Sequence, residues 1–141
     1  MKNLVLFLFS LMLLFSCKDD ITSPAVIKLD SLSGTEWSFD SFVDNNGTKH
    51  LLSNYTNMGF TLNFASDYAS GISGCNNYSI DYKILKDNIE VECRGTTKVY
   101  CTLTGEYFSS LLKSNKFYAT KTELTLYTKD TMMVRMYFKS K

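Results

Sequence analysis

Hydrophobic and polar residues alternate along most of this chain in short runs, and those runs predict strands. Thr35, Trp37 and Phe39 alternate with Glu36, Ser38 and Asp40, the period of a half-buried strand with Trp37 as its core anchor. Phe60, Leu62 and Phe64 alternate with Thr61 and Asn63, and Ser66-Asp67 turns this second strand into a short third, Tyr68 to Ile72. Tyr78, Ile80, Tyr82 and Ile84 alternate with Ser79, Asp81 and Lys83. Lys86-Asp87-Asn88 turns that long strand into Ile89, Val91 and Cys93, the clearest hairpin of the chain. Lys116 to Thr120 and Glu123 to Tyr127 pair through Lys121-Thr122. Lys129-Asp130 then leads into a last strand, Met132 to Phe138, with Val134, Met136 and Phe138 facing inward. Between Gly105 and Lys113 the period changes: Phe108, Leu111 and Leu112 share one helical face, with Thr102 or Thr104 available as N-cap. The expected fold class is mainly β (α+β), an antiparallel open or cracked barrel-like sheet plugged by one late amphipathic helix.

Two stretches break the alternation. Ser70 to Tyr78 concentrates turn chemistry. Gly71 and Gly74 allow backbone angles that a Cβ forbids, and the short amides of Asn76 and Asn77 can bond neighbouring backbone. It reads as a fixed corner with Cys75 pointing into the core. Val43 to Met58 is polar and irregular, running through Asp44-Asn45-Asn46-Gly47, His50 and Asn54-Tyr55-Thr56-Asn57. Loops of that length can carry binding sites, but the plain reading is an insertion with an exposed His50.

The N-terminus has a different character. Met1 to Ser16 carries Lys2 and then an apolar run from Leu4 to Phe15, too short to span a bilayer, and reads as a signal peptide. Leu14-Phe15-Ser16-Cys17 resembles a bacterial lipobox; the alternative is an ordinary secretory signal that leaves Cys17 a free thiol. An acylated Cys17 would hold the protein on a membrane at about 0.8 kcal/mol per buried CH₂, more than enough with several chains. Lys18-Asp19-Asp20 resembles the lysine-plus-acidic signal that exports lipoproteins of the Bacteroidota to the outer face of the outer membrane, and a solvated tether is its plainer reading. Ile21 to Ser31 lacks periodicity and holds the single proline, Pro24. The division is therefore signal peptide 1–16, lipidated cysteine and tether 17–31, and one domain 32–141.

Several features in that domain occur in a fixed order. Leu32-Ser33-Gly34-Thr35-Glu36-Trp37 has the form L-x-G-T-x-W, Phe60 to Phe64 a T-hydrophobic-x-F strand, and Gly74-Cys75-Asn76-Asn77-Tyr78 a G-C-N corner. Thr97 to Cys101 has the form T-x-x-x-C, followed by the short helix from Glu106 to Leu112 and the strand Leu124-Thr125-Leu126. Together, from Leu32 to Phe138, they resemble the META/HslJ-like domain family. The resemblance implies a bridge or close packing between Cys75 and Cys101, and a structural role for Gly34, Thr35, Trp37, Gly74, Cys75, Asn76, Asn77, Thr97 and Cys101. It also implies an envelope-stress or surface interaction role. Cys93 alternates with Ile89 and Val91 and reads as a small core residue.

Charge and chemistry narrow the function classes. The chain of 141 residues has 15 bases and 14 acids, and losing Lys2 with the leader leaves 14 of each, without a basic stripe for nucleic acid. Three scattered cysteines and a distant His50 do not make a zinc site, and no cofactor or other metal is implied. A cysteine nucleophile needs an adjacent base, and neither a nucleophile elbow nor a phosphate loop is present, so no enzyme is expected. Asp30-Ser31-Leu32 and Asp130-Thr131-Met132 resemble the O-glycosylation acceptor of the Bacteroidota, though chance supplies such triplets often. The expected protein is a non-catalytic, outer-membrane-anchored lipoprotein that faces the cell surface, or alternatively the periplasm. Its partners would be the membrane, through the lipid, and a protein of the envelope, in an oligomeric state the sequence leaves open. The alternative function is a small-ligand or lipid-binding, pilotin-like barrel with an apolar cavity.

Overall fold

In the computed structural model, which describes residues 31–141, the alternating runs form a nine-stranded antiparallel sheet. The expectations for the signal peptide, Cys17, Lys18, Asp19, Asp20 and the tether before Ser31 lie outside the described residues. The strands are β1 (Glu36–Asp44), β2 (Lys49–Leu51), β3 (Thr61–Phe64), β4 (Tyr68–Ser73), β5 (Asn76–Leu85), β6 (Asn88–Thr96), β7 (Ser114–Ala119), β8 (Glu123–Thr128) and β9 (Met133–Ser140). Helix α1 (Thr104–Leu112) lies between β6 and β7. The order β1-β3-β4-β5-β6-β7-β8-β9 returns to β1, because β9 pairs β1 from Trp37↔Ser140 to Asp44↔Met133. The sheet is thus the barrel-like antiparallel sheet with one helix that was expected, closed into eight strands through β1–β9, with β2 hung on the second half of β1.

Alternation puts the apolar set inside. Trp37, Phe39, Leu62, Phe64, Ile80, Leu124, Leu126, Met136 and Phe138 are all buried. Trp37 Nε1 donates to Thr35 Oγ1 at 2.7 Å, and that hydroxyl donates to Leu32 O at 2.5 Å, so the indole is buried without an orphaned N–H. Gly34, at φ +79°, donates its N–H to Phe64 O at 2.8 Å and seats the entry of β1 against β3.

Bulges account for the phase errors of the sequence reading. The β1–β9 register slips between Phe39 and Ser41, so Ser41 and Phe42 are both buried and β1 runs on to Asp44. A second slip between Val43 and Asp44 brings Met133 inside and leaves Val134 half-buried, correcting the inward assignment of Val134. The stretch from Val43 to Met58 is correspondingly ordered. Asp44 Oδ1 accepts the N–H groups of Asn46 and Thr48, each at 2.9 Å, and Gly47 takes φ +83°, which closes the β1–β2 hairpin. A 3-10 turn, Leu52–Asn54, follows β2.

Candidate functional site

The predicted motif residues fall into two groups. Gly34, Thr35 and Trp37 anchor the start of β1, as above. Gly74, Cys75, Asn76, Asn77, Thr97 and Cys101 come together at one corner, where β4 turns into β5.

Ser73 pairs with Asn76, so Gly74 and Cys75 are the two loop residues of a tight hairpin. Gly74 holds φ +67°, and a Cβ there would lie 2.9 Å from Cys101 Sγ and 3.0 Å from Thr104 Oγ1. Only glycine fits this position. Cys75 and Cys101 form a disulfide with their Cα atoms 6.2 Å apart, tying the hairpin to the segment that enters α1. Cys75 is exposed rather than inward; Asn76 is the buried residue of the corner. The two-residue turn reverses the chain at Cys75, which sends its side chain outward and the next one in.

The Asn76 amide acts as a length of surrogate backbone. Its Nδ2 donates to Val99 O at 2.6 Å, while Oδ1 accepts from Val99 N at 2.7 Å and from Thr97 Oγ1 at 2.9 Å. Thr97 N donates to Asn77 O at 3.0 Å, and Asn77 N to Thr97 Oγ1 at 3.1 Å. The strand pairing is therefore prolonged past the end of β6 by side chains. Thr104 Oγ1 donates to Ser73 O at 2.7 Å instead of capping the helix, and the N-cap is Leu103 at φ +64° without a side-chain bond. This corrects the expected threonine cap.

The clamp presents apolar residues to solvent. Val99 is 58% and Tyr100 99% exposed, on a segment held at Val99 by Asn76 and at Cys101 by the disulfide. Beside them runs a groove of about 450 Å³, floored by Leu103 and Phe108 and edged by Thr97 and Glu106. Near the same end of β6 lies Cys93, which is exposed with a free thiol and not the core residue expected. Its face of the strand loses cover because β7 meets β6 at Asn88↔Lys116 alone.

Beneath the corner the barrel is filled. Tyr107, fully buried and missed by the helical-face reading, stacks edge-on to Phe39 and Phe60 at 5.1 and 5.0 Å. Its hydroxyl meets that of Tyr78 at 3.0 Å, and Tyr78 donates to Thr61 O at 2.5 Å. Burial pushes both phenols well above their ordinary value, so they stay protonated as a structural hydrogen-bond chain. Alternation placed Tyr78 inward; Tyr107 stands four residues before Leu111, on the same face of the helix, so the helical period that marked Phe108, Leu111 and Leu112 also pointed to it.

A second polar arrangement lies on the β1–β2 hairpin. His50 is half-buried and partnered, not simply exposed: its ring stacks on Phe42 at 4.9 Å, Nε2 meets Asp44 Oδ2 at 2.9 Å, and Nδ1 meets Tyr55 Oη at 2.7 Å. The His50 ring is the main cause holding the Asp44 carboxyl below its ordinary value, with the Thr48 N–H second. This chain orients a phenol, a poor nucleophile, and fastens the 3-10 turn to β2. Among the described residues no group of three or more His, Cys, Asp or Glu side chains could hold a metal ion, and no helix is long and apolar enough to cross a membrane.

A family model described as META domain matches residues 30–140 of the chain. Among solved structures, an NMR structure of a protein from Burkholderia xenovorans is similar, with a TM-score of 0.65 and 19% identity over 78% of this chain and 83% of that one. At that identity the likeness speaks for the fold alone. No curated protein gives a significant match.

Proposed function

This chain belongs to the META domain family, and from that premise we propose that it is a non-catalytic lipoprotein held on the outer membrane through Cys17, whose barrel makes protein contacts at the cell envelope. The observation that carries this reading is the rigid presentation of Tyr100: a fully solvated aromatic beside an apolar groove, on a segment braced by a buried asparagine and a disulfide. Aromatic residues supply contact area at low entropic cost when they are held in place beforehand. A Cys75–Cys101 bridge suits an oxidising compartment outside the cytoplasm, as a lipobox-like leader would require. Lys18-Asp19-Asp20, on this reading, directs the domain to the cell surface, and a periplasm-facing domain is the alternative.

The alternative of a small-ligand or lipid-binding barrel is less well supported, since the aromatic rings around Tyr107 occupy the space such a ligand would need. The anchor is tested by fractionating cells that carry Cys17→Ser. The wild-type protein should sediment with membranes and the variant should be soluble. Equal sedimentation of both would end the lipoprotein reading.

A further inference from the structure

Along the β6–β7 seam both strands run largely without a ladder partner, and β6 is the longer of the two. β7 reaches it at Asn88↔Lys116, where Phe117 N also donates to Asp87 O at 2.9 Å, and among the described residues no other strand pairs that side. Beyond this point Val91 is half-buried, and Glu92, Cys93, Arg94, Gly95 and Thr96 are exposed. An unpaired edge of this length is a template for another strand.

The charges on this edge are complementary to themselves. Glu92 lies opposite Asp81 across the β5–β6 ladder. Arg94 Nε reaches Asp81 Oδ1 at 3.0 Å, and its guanidinium lies over the Tyr68 ring at 5.1 Å. Glu92 and Arg94 therefore share the outer face of the barrel, on either side of Cys93. If a second copy lies antiparallel along the edge, with the two-fold axis at Cys93, Glu92 of each copy falls opposite Arg94 of the other. Glu90 then meets Thr96 and Val91 meets Gly95, so no like charges face each other. Glu92 makes no ion pair within its own copy among the described residues, whereas Arg94 is already held outward by Asp81.

We propose that β6 is an interaction edge for a second copy of this chain, forming an antiparallel dimer centred on Cys93 in which Glu92 and Arg94 pair reciprocally. The contact is short, below the area of a stable interface, so the dimer is weak and concentration-dependent.

The test uses the full chain, purified in detergent, and a short bismaleimide that links thiols in reach of each other. Cross-linked dimer should form in proportion to concentration and vanish in Cys93→Ser, which separates Cys93 from any thiol at Cys17. Glu92→Arg puts like charges across both symmetric contacts and should cut the dimer yield about tenfold. Glu92→Arg combined with Arg94→Glu should restore it to within about twofold. Sedimentation velocity without the linker should rank the variants in the same order. The proposal is overturned if no dimer forms up to the solubility limit, if its yield ignores the charge at Glu92, or if the folded double variant fails to recover.

Discussion

The barrel has two seams that could hardly differ more. At β1–β9 the first and last strands meet along a register from Trp37↔Ser140 to Asp44↔Met133, and Lys139 Nζ adds an ion pair to Asp40 at 2.6 Å. At β6–β7 the ladder is a single pair, and beyond it the disulfide and the Asn76 clamp fasten the segment that runs from β6 to α1 onto the β4–β5 corner. A closed barrel can thus leave one seam open provided covalent and side-chain bonds fix the segment that crosses it. The open seam is also where the exposed Val99, Tyr100 and Cys93 lie.

Substitutions can break each side of this contrast. The largest effect is expected in the closed wall, at Gly71. A Cβ there would collide with the backbone carbonyl of Thr61 and lie 2.7 Å from Tyr78 Oη, so Gly71→Ala should cost more than about 4 kcal/mol, read as loss of cooperative unfolding by circular dichroism. Next is the brace of the open seam. Replacing Cys75 and Cys101 together with serine should lower denaturant stability by about 3 to 4 kcal/mol and raise amide exchange from Thr96 to Thr104 before β1 and β9 are affected. Equal loss of protection at both seams would show that the disulfide does not brace the gap locally.

Tyr78→Phe is expected to cost about 1 to 3 kcal/mol, because Thr61 O and Tyr107 Oη lose a buried partner. Urea denaturation would measure it. The smallest effect is electrostatic. Lys139 is the main cause holding the Asp40 carboxyl below its ordinary value. A depressed carboxyl stabilises the fold above its unfolded value of about 3.9, and that contribution disappears as pH falls through the lower folded value. Stability should therefore decline on acidification below about pH 4, and Asp40→Asn should shallow the slope of thermal midpoint against pH in that range. An unchanged slope would mean that the Asp40–Lys139 pair does not tighten the closed seam.

Strand-forming runs were legible because alternation needs only local information, and Trp37, Phe60, Leu62 and Phe64 lie where it put them. Bulges were not legible. Phe42 is out of phase with Phe39 because Asp40 is an extra residue against β9, a property of the pair of strands rather than of either one. The same limit applies to Cys93, whose alternation with Ile89 predicts an inward side chain but cannot reveal that β7 stops short of covering it. Closure of the ring likewise depends on the two most distant strands meeting. At the corner, residue types marked the place and the family resemblance implied the bridge, but the burial of Asn76 in place of Cys75 follows from a two-residue turn that composition does not specify. His50 found its partners through the β1–β2 hairpin, whose polar sequence looked like loop because only three residues of β2 are paired.

Display of this braced domain on the cell surface is tested most directly by protease accessibility on intact cells. The comparison is between wild type and a variant with alanine at Lys18, Asp19 and Asp20, with and without opening of the outer membrane. Surface display predicts that wild-type protein is cleaved or labelled on intact cells, and that the variant is reached only after the membrane is opened. Protection of both until that point would contradict it and place the domain in the periplasm.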